Sequence, residues 1–302
     1  MLFTSLKSLL FKVRLALEKV ILATLFFLLG FIIIICFYLS RIHYIRQQAF
    51  FAMCALVSLL FGILAFINLT LTVWKGPGKI SQLLKTHRKE LKKLLNDPLS
   101  KKFFHKCDKC SQQRLFRCHH CRYCNICQPS YDHHCVVIAT CVGWRNRHCF
   151  LSFLLCIYLG AIVACISHYP VVLSLIKTKY FVYGGLLPKM IVLSGALCLA
   201  SLIALAPLLF SHLKYALTNS TTYDDMIMKN IRKEHPNVYD PFNKNVPRKV
   251  NWNIFWGVSE GSNIVTKVAK VFFPYGERVD YAQEMNTVFG ILKEDLKKKK
   301  DQ

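Results

Sequence analysis

Residues 107 to 141 read CDKCSQQRLFRCHHCRYCNICQPSYDHHCVVIATC, and this stretch decides how the centre of the chain folds. It holds 8 cysteines and four histidines, which is more metal ligands than one zinc ion can use. A structural zinc ion takes four thiolate or imidazole ligands in a tetrahedron, so two ions would use eight of these side chains. We therefore predict two structural Zn²⁺ ions in this segment.

Pairs of the form Cys-x2-Cys are the usual way to give one metal ion two thiolates from a tight turn. The segment contains two such pairs, Cys107 with Cys110 and Cys121 with Cys124. Each pair needs two more ligands, and two Cys3His sites would use every remaining candidate. The spacing leaves open which of these candidates joins which pair: His120, Cys127, His134 and Cys141.

Two cysteines, Cys118 and Cys135, are left after eight ligands have been assigned. Cys118 is either a small side chain in a crowded loop or a competing zinc ligand. Cys135 follows Asp132, His133 and His134, and alternate residues of an extended segment share a face. His133 is therefore expected to point with Cys135, and His134 toward a metal ion.

A base beside Cys135 would make this thiol a nucleophile. A thiol with a pKa of about 8.5 is only partly ionised at neutral pH, so an imidazole that accepts its proton raises the thiolate concentration. His133 is the expected base, and Asp132 would hold its ring in the required tautomer. The alternative is that Asp132 and His133 only stabilise the zinc fold, by contacting the zinc ligands without binding the metal themselves.

The rest of the chain indicates a membrane protein. Of its 302 residues 54% are hydrophobic, and the apolar residues form blocks. A helix crosses the hydrocarbon core with about 20 residues, and four uncharged stretches are this long: Val20 to Ser40, Gln48 to Trp74, Cys149 to Ile176 and Met190 to Leu213. We predict an all-α integral membrane protein with four transmembrane helices and a zinc-binding cysteine-rich domain between helices 2 and 3.

The distribution of positive charge predicts the orientation. Only five of the 40 basic residues lie in the two short connections between neighbouring spans, so the other segments are expected to be cytosolic. Structural disulfides rarely persist in that reducing compartment, which favours zinc for the cysteines. The predicted segments are a cytosolic N-terminus, spans 1 and 2, the cytosolic zinc domain, spans 3 and 4, and a cytosolic C-terminal region: 1–19, 20–74, 75–148, 149–213 and 214–302.

Residues 79 to 95 combine helically spaced leucines with lysines and an arginine. This pattern predicts a basic amphipathic helix on anionic lipid, with a solvated charged helix as the alternative. Nucleic acid is not an expected partner, because the basic residues lie close to membrane spans and no nucleic-acid-binding motif accompanies them. His168 and His212 lie within apolar spans near a span end or a proline, and we expect an interfacial position for both.

The cysteine array continues as Cys141-x4-Asn146-x3-Phe150, and the whole pattern resembles the cysteine-rich domain of the DHHC-type protein S-acyltransferases, or palmitoyltransferases. Four spans with this domain between the second and third also fit that family. The resemblance implies a two-step reaction with acyl-CoA as co-substrate. Cys135 takes a long-chain acyl group such as palmitoyl from the thioester and passes it to cysteines of membrane-associated substrate proteins.

In the family the two zinc ions are structural, and the resemblance implies one assignment of their ligands. One site would use Cys107, Cys110, His120 and Cys127. The other would use Cys121, Cys124, His134 and Cys141.

The resemblance also assigns residues outside the zinc segment. Residues 221–224 look like the family's Thr-Thr-x-Glu motif, with Asp224 in place of glutamate, and imply that Thr222 holds Asp132. Asn251, followed by Trp252, is similar to the asparagine that braces the catalytic domain from a C-terminal motif. Basic positions that match the family's zinc domain imply contacts with the polyanionic CoA head group: Arg114, Arg117 and His119.

The chain departs from the family beside the nucleophile. Val136 and Val137 replace the usual proline and tryptophan, and Thr140 replaces the usual asparagine before the last zinc cysteine. Leu115 and Phe116 stand where the family has a pair of prolines. Because the acyl chain and thioester would pass Val136 and Val137, the alternative function is a membrane-anchored zinc module or a scaffold without turnover.

The last four residues, Lys299 to Gln302, resemble the dilysine retrieval signal of endoplasmic reticulum membrane proteins. They predict the endoplasmic reticulum or the Golgi as the location. The alternative is a polybasic tail that is attracted to acidic lipids.

Overall fold

The computed structural model describes residues 48–81, 106–112, 114, 117–234, 247–259 and 261–274, together with five isolated positions between 20 and 34. Several predictions from the sequence fall outside these residues. They are most of the first predicted span, most of the amphipathic segment 79–95, the pair at 115 and 116, and the C-terminal dilysine.

Three long helices dominate the described residues: α1 over Gln48–Lys75, α2 over Arg147–Lys177 and α4 over Leu186–Thr218. They have 28, 31 and 33 residues, so each is longer than the roughly 30 Å of the hydrocarbon core at about 1.5 Å per residue. All three are also apolar enough to cross a membrane. They coincide with three of the four predicted spans and run up to five residues further at either end.

The short helix α3, Tyr180–Tyr183, lies between α2 and α4. Three further helices follow α4: α5 over Thr222–Glu234, α6 over Arg248–Trp256 and α7 over Ile264–Phe272. The described residues form two compact units. One contains those of Met1–Leu69 and Ser152–Phe210, and the other those of Thr70–Leu151 and Ser211–Gln302.

The first unit packs the apolar helices around small and polar residues. Gly160 lies so close to Phe61 that a Cβ at this position would be 3.3 Å from the Phe61 Cβ. His168 is 2% exposed, and its Nε2 lies 2.8 Å from the hydroxyl of Ser194. A hydrogen bond between two helices thus satisfies the His168 ring inside the apolar unit, and the interfacial position expected for it stays a prediction.

The second unit contains two antiparallel hairpins. Strand β1, His119–Cys121, pairs with β2, Ile126–Gln128, and strand β3, His133–Cys135, pairs with β4, Thr140–Val142. The prediction of an all-α chain omitted these strands. Each has three residues, which is too short for the alternation of apolar and polar residues that reveals a strand in a sequence.

Asn146 fixes the second hairpin to the last turn of α1. Its side chain donates to the carbonyl oxygens of Thr72 at 2.9 Å and Cys141 at 3.0 Å, and accepts from the amide of Gly143 at 2.9 Å. Gly78, with φ +89°, follows α1 where a Cβ would lie 3.0 Å from the ring of Trp144. The turn after α1 therefore favours glycine at this position.

Candidate active site and zinc centres

Eight cysteine and histidine side chains form two clusters, and within each the four ligand atoms lie within 4.8 Å of one another. Their membership is the one that the family resemblance implies. The first cluster contains Cys107, Cys110, His120 and Cys127, and the second contains Cys121, Cys124, His134 and Cys141. Cys118, the alternative ligand, belongs to neither cluster.

The hairpins explain how short segments supply four ligands. His120 lies directly opposite Cys127 across the first hairpin, and His134 opposite Cys141 across the second. Each of these pairs is completed by the Cys-x2-Cys pair that comes earlier in the chain. The turn of the first hairpin, which carries Cys124, thus supplies ligands to the second cluster and links the two hairpins.

The distances fit zinc. For bonds of about 2.3 Å to sulfur and 2.0 Å to nitrogen, neighbouring ligand atoms of a tetrahedron are roughly 3.5 to 3.8 Å apart. In the first cluster the His120 Nδ1 lies 3.6 and 3.9 Å from the Cys107 and Cys127 sulfurs. In the second, the His134 Nδ1 lies 3.7, 3.5 and 3.4 Å from its three sulfurs. Both clusters therefore have the donor set and the size of a Cys3His zinc site.

A repeat in the sequence gives the same partition. Every ligand of the second cluster follows its counterpart in the first by 14 residues, and the triplet His-His-Cys occurs at 119–121 and again at 133–135. The spacing therefore does contain the signal that assigns ligands to clusters. This offset of 14 residues is seen only when the two complete ligand sets are compared, and not when single Cys-x2-Cys pairs are considered.

Asp132, His133 and Cys135 come together at strand β3. The Asp132 side chain is buried, and its Oδ2 lies 2.7 Å from Nδ1 of His133. With Nδ1 occupied by the carboxylate, Nε2 of His133 is the nitrogen left for the Cys135 thiol, with which this imidazole also interacts. This is the order that an activated thiol nucleophile, its base and an orienting carboxylate would require.

The electrostatics of this group favour a charged thiol and imidazole. Burial and the interactions with Asp132 and Cys135 act in opposite directions on His133, and the interactions win and raise its pKa to about 9. Burial also opposes ionisation of Cys135, but the contact with His133 lowers the pKa of this thiol below its ordinary value. The contact between the two side chains therefore favours the thiolate of Cys135 and the imidazolium of His133.

Asp132 stays ionised because other groups stabilise its charge. Thr222 donates to it twice, from the backbone amide and from the hydroxyl, each at 3.0 Å. Despite burial, the hydrogen bond from His133 and the charge of Arg147 hold the pKa of the Asp132 carboxyl well below its usual range. The structure thus brings Thr222 to the carboxylate that the resemblance implied.

The start of α5 explains why a shorter acid fits in place of glutamate. Thr221 Oγ1 accepts from the amide of Asp224 at 3.0 Å, and Asp224 Oδ2 accepts from the amide of Thr221 at 2.9 Å. This reciprocal pair is a capping box, which satisfies two backbone donors at a helix N-terminus. The cap holds the turn that presents Thr222 to Asp132.

Arg117 forms a buried ion pair with Asp224. Its side chain is 1% exposed, and its Nη2 and Nε donate to Asp224 Oδ2 at 2.6 and 3.0 Å. A role of Arg117 at CoA stays a prediction, and a phosphate would have to compete with this ion pair. It joins the loop before β1 to the cap of α5.

The other two residues expected at CoA are partly exposed. Arg114 lies beside the first zinc cluster, with Nη2 3.4 Å from the Cys107 sulfur. The ring of His119 packs between those of Tyr131 and Tyr223, with centroid distances of 5.0 and 4.1 Å. A role of Arg114 and His119 at CoA stays a prediction.

Asn251 braces the C-terminal part of the unit. It is 5% exposed, and its Nδ2 donates at 3.0 Å to the carbonyl oxygen of Leu217 in the last turn of α4. Phe255, one turn further along α6, presents its ring to the guanidinium of Arg147 at 5.3 Å. The motif beginning at Asn251 therefore packs against the helix ends that surround Asp132.

Arg147 and His212 were missed as site residues. Arg147 is 2% exposed, lies with Nε 3.7 Å from Asp132 Oδ1, and donates to the carbonyl oxygen of Ser220. His212 is 5% exposed, and its ring lies near those of His133 and Phe150. The two enter from the start of α2 and the end of α4, and neither belongs to a motif in the sequence.

The three groups Asp132, His133 and His212 also have ligand atoms within 4.8 Å of one another. Asp132 already accepts hydrogen bonds on both oxygens, and its Oδ2 contacts the His133 Nδ1 directly. We therefore interpret these three side chains as an acid–base group rather than a third zinc site. Val136, next to the nucleophile, is 44% exposed, so the Cys135 thiol has an apolar neighbour at the surface.

Comparison with known proteins finds matches that include the segment carrying this geometry. Residues 100–229 match the family model described as DHHC palmitoyltransferase. Palmitoyltransferase PFA5 of Eremothecium gossypii is 26% identical over 63% of this chain and 57% of its own length. Palmitoyltransferase swf1 of Schizosaccharomyces pombe is 38% identical over 31% of this chain and 26% of its own length.

A plant relative gives the same picture. Probable protein S-acyltransferase 2 of Arabidopsis thaliana is 24% identical over 59% of this chain and 46% of its own length. The chain thus spans from about a quarter to somewhat over half of the length of these relatives.

Proposed function

We propose that the chain is a protein S-acyltransferase, because residues 100–229 match the family model described as DHHC palmitoyltransferase. It would transfer a long-chain acyl group, such as palmitoyl, from acyl-CoA to cysteine thiols of substrate proteins. One observation carries the proposal. Cys135 lies outside both zinc clusters and contacts an imidazole whose other nitrogen is held by a buried carboxylate.

The first step forms an acyl-enzyme. The thiolate of Cys135 attacks the carbonyl carbon of the acyl-CoA thioester, a new carbon–sulfur bond forms, and the bond to the CoA sulfur breaks. The CoA thiolate leaves with a proton from the His133 imidazolium, so His133 becomes neutral. Asp132 keeps the ring oriented and stabilises its charge before this transfer.

The second step returns the enzyme to its starting state. Neutral His133 accepts the proton of a substrate cysteine, and the resulting thiolate attacks the carbonyl carbon of acyl-Cys135. The acyl group moves to the substrate, and the Cys135 thiolate leaves beside the restored imidazolium. Every proton lost in one step is regained in the other, so the reaction needs no further reactant.

The other site residues support this group rather than react. The two Cys3His clusters would hold structural zinc ions, which fix the hairpins that carry the nucleophile. Thr222 orients Asp132 through two hydrogen bonds, and Asn251 holds the end of α4 next to the start of α5. Arg114 and His119 are the proposed contacts for the CoA phosphates.

The proposal includes the membrane arrangement expected from the sequence. It has four spans, of which three coincide with described helices, with both termini and the zinc domain in the cytosol. Substrates would be membrane-associated proteins with cytosolic cysteines. The endoplasmic reticulum or the Golgi is the proposed location.

The test is incubation of the detergent-purified protein with labelled palmitoyl-CoA, followed by neutral hydroxylamine, which cleaves thioesters. Wild type and Cys118→Ser should take up label that hydroxylamine releases, whereas Cys135→Ser should take up none. Cys118 is the matched control, because it lies in the same segment and outside both clusters. Equal labelling of all three, or none while zinc is bound, would refute the acyltransferase and leave a zinc module or scaffold without turnover.

A further inference from the structure

Helix α7, with the sequence IVTKVAKVF, is apolar on most of its surface and yet buries none of its residues. Ile264 and Val265 are 72% and 71% exposed, Val268 is 49% exposed, and Phe273 just beyond the helix is 47% exposed. A helix of a water-soluble domain turns such a face toward the core. The exposed face of α7, defined by Ile264, Val265 and Val268, is therefore an apolar face that a water-soluble domain would cover.

The end of this helix is tied to the end of a membrane span. Lys75, the last residue of α1, donates from Nζ to the carbonyl oxygen of Pro274 at 3.2 Å. Trp74 before it is 79% exposed. Tryptophan and lysine at the end of a transmembrane helix lie at the boundary between bilayer and water. The C-terminal end of α7 is therefore held at the level where α1 leaves the membrane.

The helix is capped at its N-terminus and held to α6 near its C-terminus. Asn263 caps its N-terminus by accepting from the amide of Thr266 at 2.8 Å. Lys270 donates to the carbonyl oxygen of Gly257, which ends α6. These contacts fix how α7 is rotated about its axis, so the exposed face keeps one direction relative to Lys75.

The charges of α7 suit an acidic lipid surface. Its polar positions are Thr266, Lys267 and Lys270, and it has no acidic residue. The whole chain carries a formal net charge of +24. A helix with one apolar face and lysines on the other binds in the interface of a bilayer, and more strongly where the lipids are anionic.

We propose that α7 lies in the plane of the cytosolic bilayer interface, with its exposed face among the acyl chains nearest the head groups and Lys267 toward anionic head groups. The partner is therefore the lipid itself and not a second protein. This anchor would act together with the contact from Lys75 to hold the C-terminal part of the second unit at the membrane. It does not depend on acyl transfer.

The test uses the full-length protein in lipid nanodiscs. An environment-sensitive fluorescent amino acid replaces Val265 in one variant and Lys267 in another, which leaves the cysteines of the zinc clusters untouched. Lipids with a quenching group near the head-group end of the acyl chain should quench position 265 several-fold more than position 267. Raising the fraction of anionic lipid should increase quenching at position 265, and Lys267→Gln should reduce that increase.

A variant labelled at Val268 provides a second position in case the first does not fold, and two zinc ions per chain are the criterion of folding. Equal quenching at 265 and 267 would overturn the proposed orientation. A blue-shifted emission at 265 without lipid quenching would mean that protein covers the face, and would overturn the anchor. Cys135→Ser should leave the quenching unchanged, so this outcome is separate from that of the acylation assay.

Discussion

The two hairpins of the second unit have the same triplet, His-His-Cys, at the same register but serve different chemistry. Cys121 ends β1 and joins the second zinc cluster, whereas Cys135 ends β3 and joins none. The residue three positions later accounts for the difference. It is Cys124 after Cys121, and the fully buried Ile138 after Cys135. Cys135, the proposed nucleophile, thus occupies the position that corresponds to the zinc ligand Cys121, but it belongs to neither zinc cluster.

The first histidine of each triplet differs as well. Asp132 precedes His133 and forms a hydrogen bond with it, which outweighs burial and raises its pKa to about 9. His119 follows Cys118 instead of an acid, and burial together with the charge of Arg114 lowers its pKa. The two histidines occupy equivalent positions, and the buried Asp132 accounts for their difference. It stabilises the protonated form of His133, whereas His119 has no acid beside it in the sequence.

The largest expected effects on zinc content and acylation come from replacing Cys121 or Cys135. Cys121→Ser removes a ligand from the second cluster, so the protein should lose one of its two zinc ions and, with it, all acylation. Cys135→Ser should keep both zinc ions and lose acylation only. Zinc per chain, measured by elemental mass spectrometry beside the labelling assay, checks both. Loss of zinc in Cys135→Ser would contradict the division of roles.

The next effect concerns the carboxylate that distinguishes the two histidines. Asp132→Asn keeps the shape but removes the charge that orients and stabilises protonated His133, so the rate of acyl-enzyme formation should fall on the order of 10³-fold. Zinc content should stay at two. The measurement is the single-turnover rate of labelling. A rate within a few-fold of wild type would mean that Asp132 serves only the zinc fold.

Thr222→Val tests the group that holds the carboxylate. It removes the hydroxyl donor at 3.0 Å and leaves the backbone donor in place, and a hydrogen bond to a charged group is worth about 1.5 to 3 kcal/mol. The single-turnover rate of labelling should fall about 10- to 100-fold. Ser220→Ala is the control, because that side chain contacts Thr218 rather than Asp132. Equal losses in the two variants would point to a general effect on the start of α5.

A smaller effect is expected in the pH dependence of thiol alkylation. Contact with His133 lowers the pKa of Cys135. The reactive thiolate should therefore persist at pH values below the ordinary thiol pKa and be lost only as the pH falls through the lowered pKa. In His133→Gln burial still raises the pKa of Cys135 while the lowering by His133 is lost, so the profile should move to higher pH. Rates of iodoacetamide modification at Cys135, followed by peptide mass spectrometry, give both profiles. Coincident profiles would remove His133 as the base.

The two hairpins also show what the sequence could predict. Three spans, the composition of the zinc sites and the grouping of Asp132, His133 and Cys135 all depend on composition or on neighbours along the chain. The 14-residue translation also specifies the two clusters, but it appears only when whole ligand sets are compared. The hairpins were missed because three-residue strands carry no pattern.

Arg147, His212 and the pairing of Arg117 with Asp224 could not be read from the sequence. Arg117 is 107 positions from Asp224. Arg147 lies in α2 and His212 in α4, and both come close to Asp132 and His133 only in the folded chain. A basic residue in a zinc segment has the same local sequence whether it binds a phosphate or a buried carboxylate. Its partner is decided by tertiary contacts.

The most direct test of the central claim is mass spectrometry of the intact protein under conditions that keep zinc bound, after incubation with palmitoyl-CoA. We predict two zinc ions and one hydroxylamine-labile acyl group per wild-type chain, with the acyl group on Cys135 in peptide maps. Cys135→Ala should show two zinc ions and no acyl group. An acyl group on Cys121 or another ligand cysteine, or a zinc ion lost together with Cys135, would contradict the assignment of Cys135 as the nucleophile.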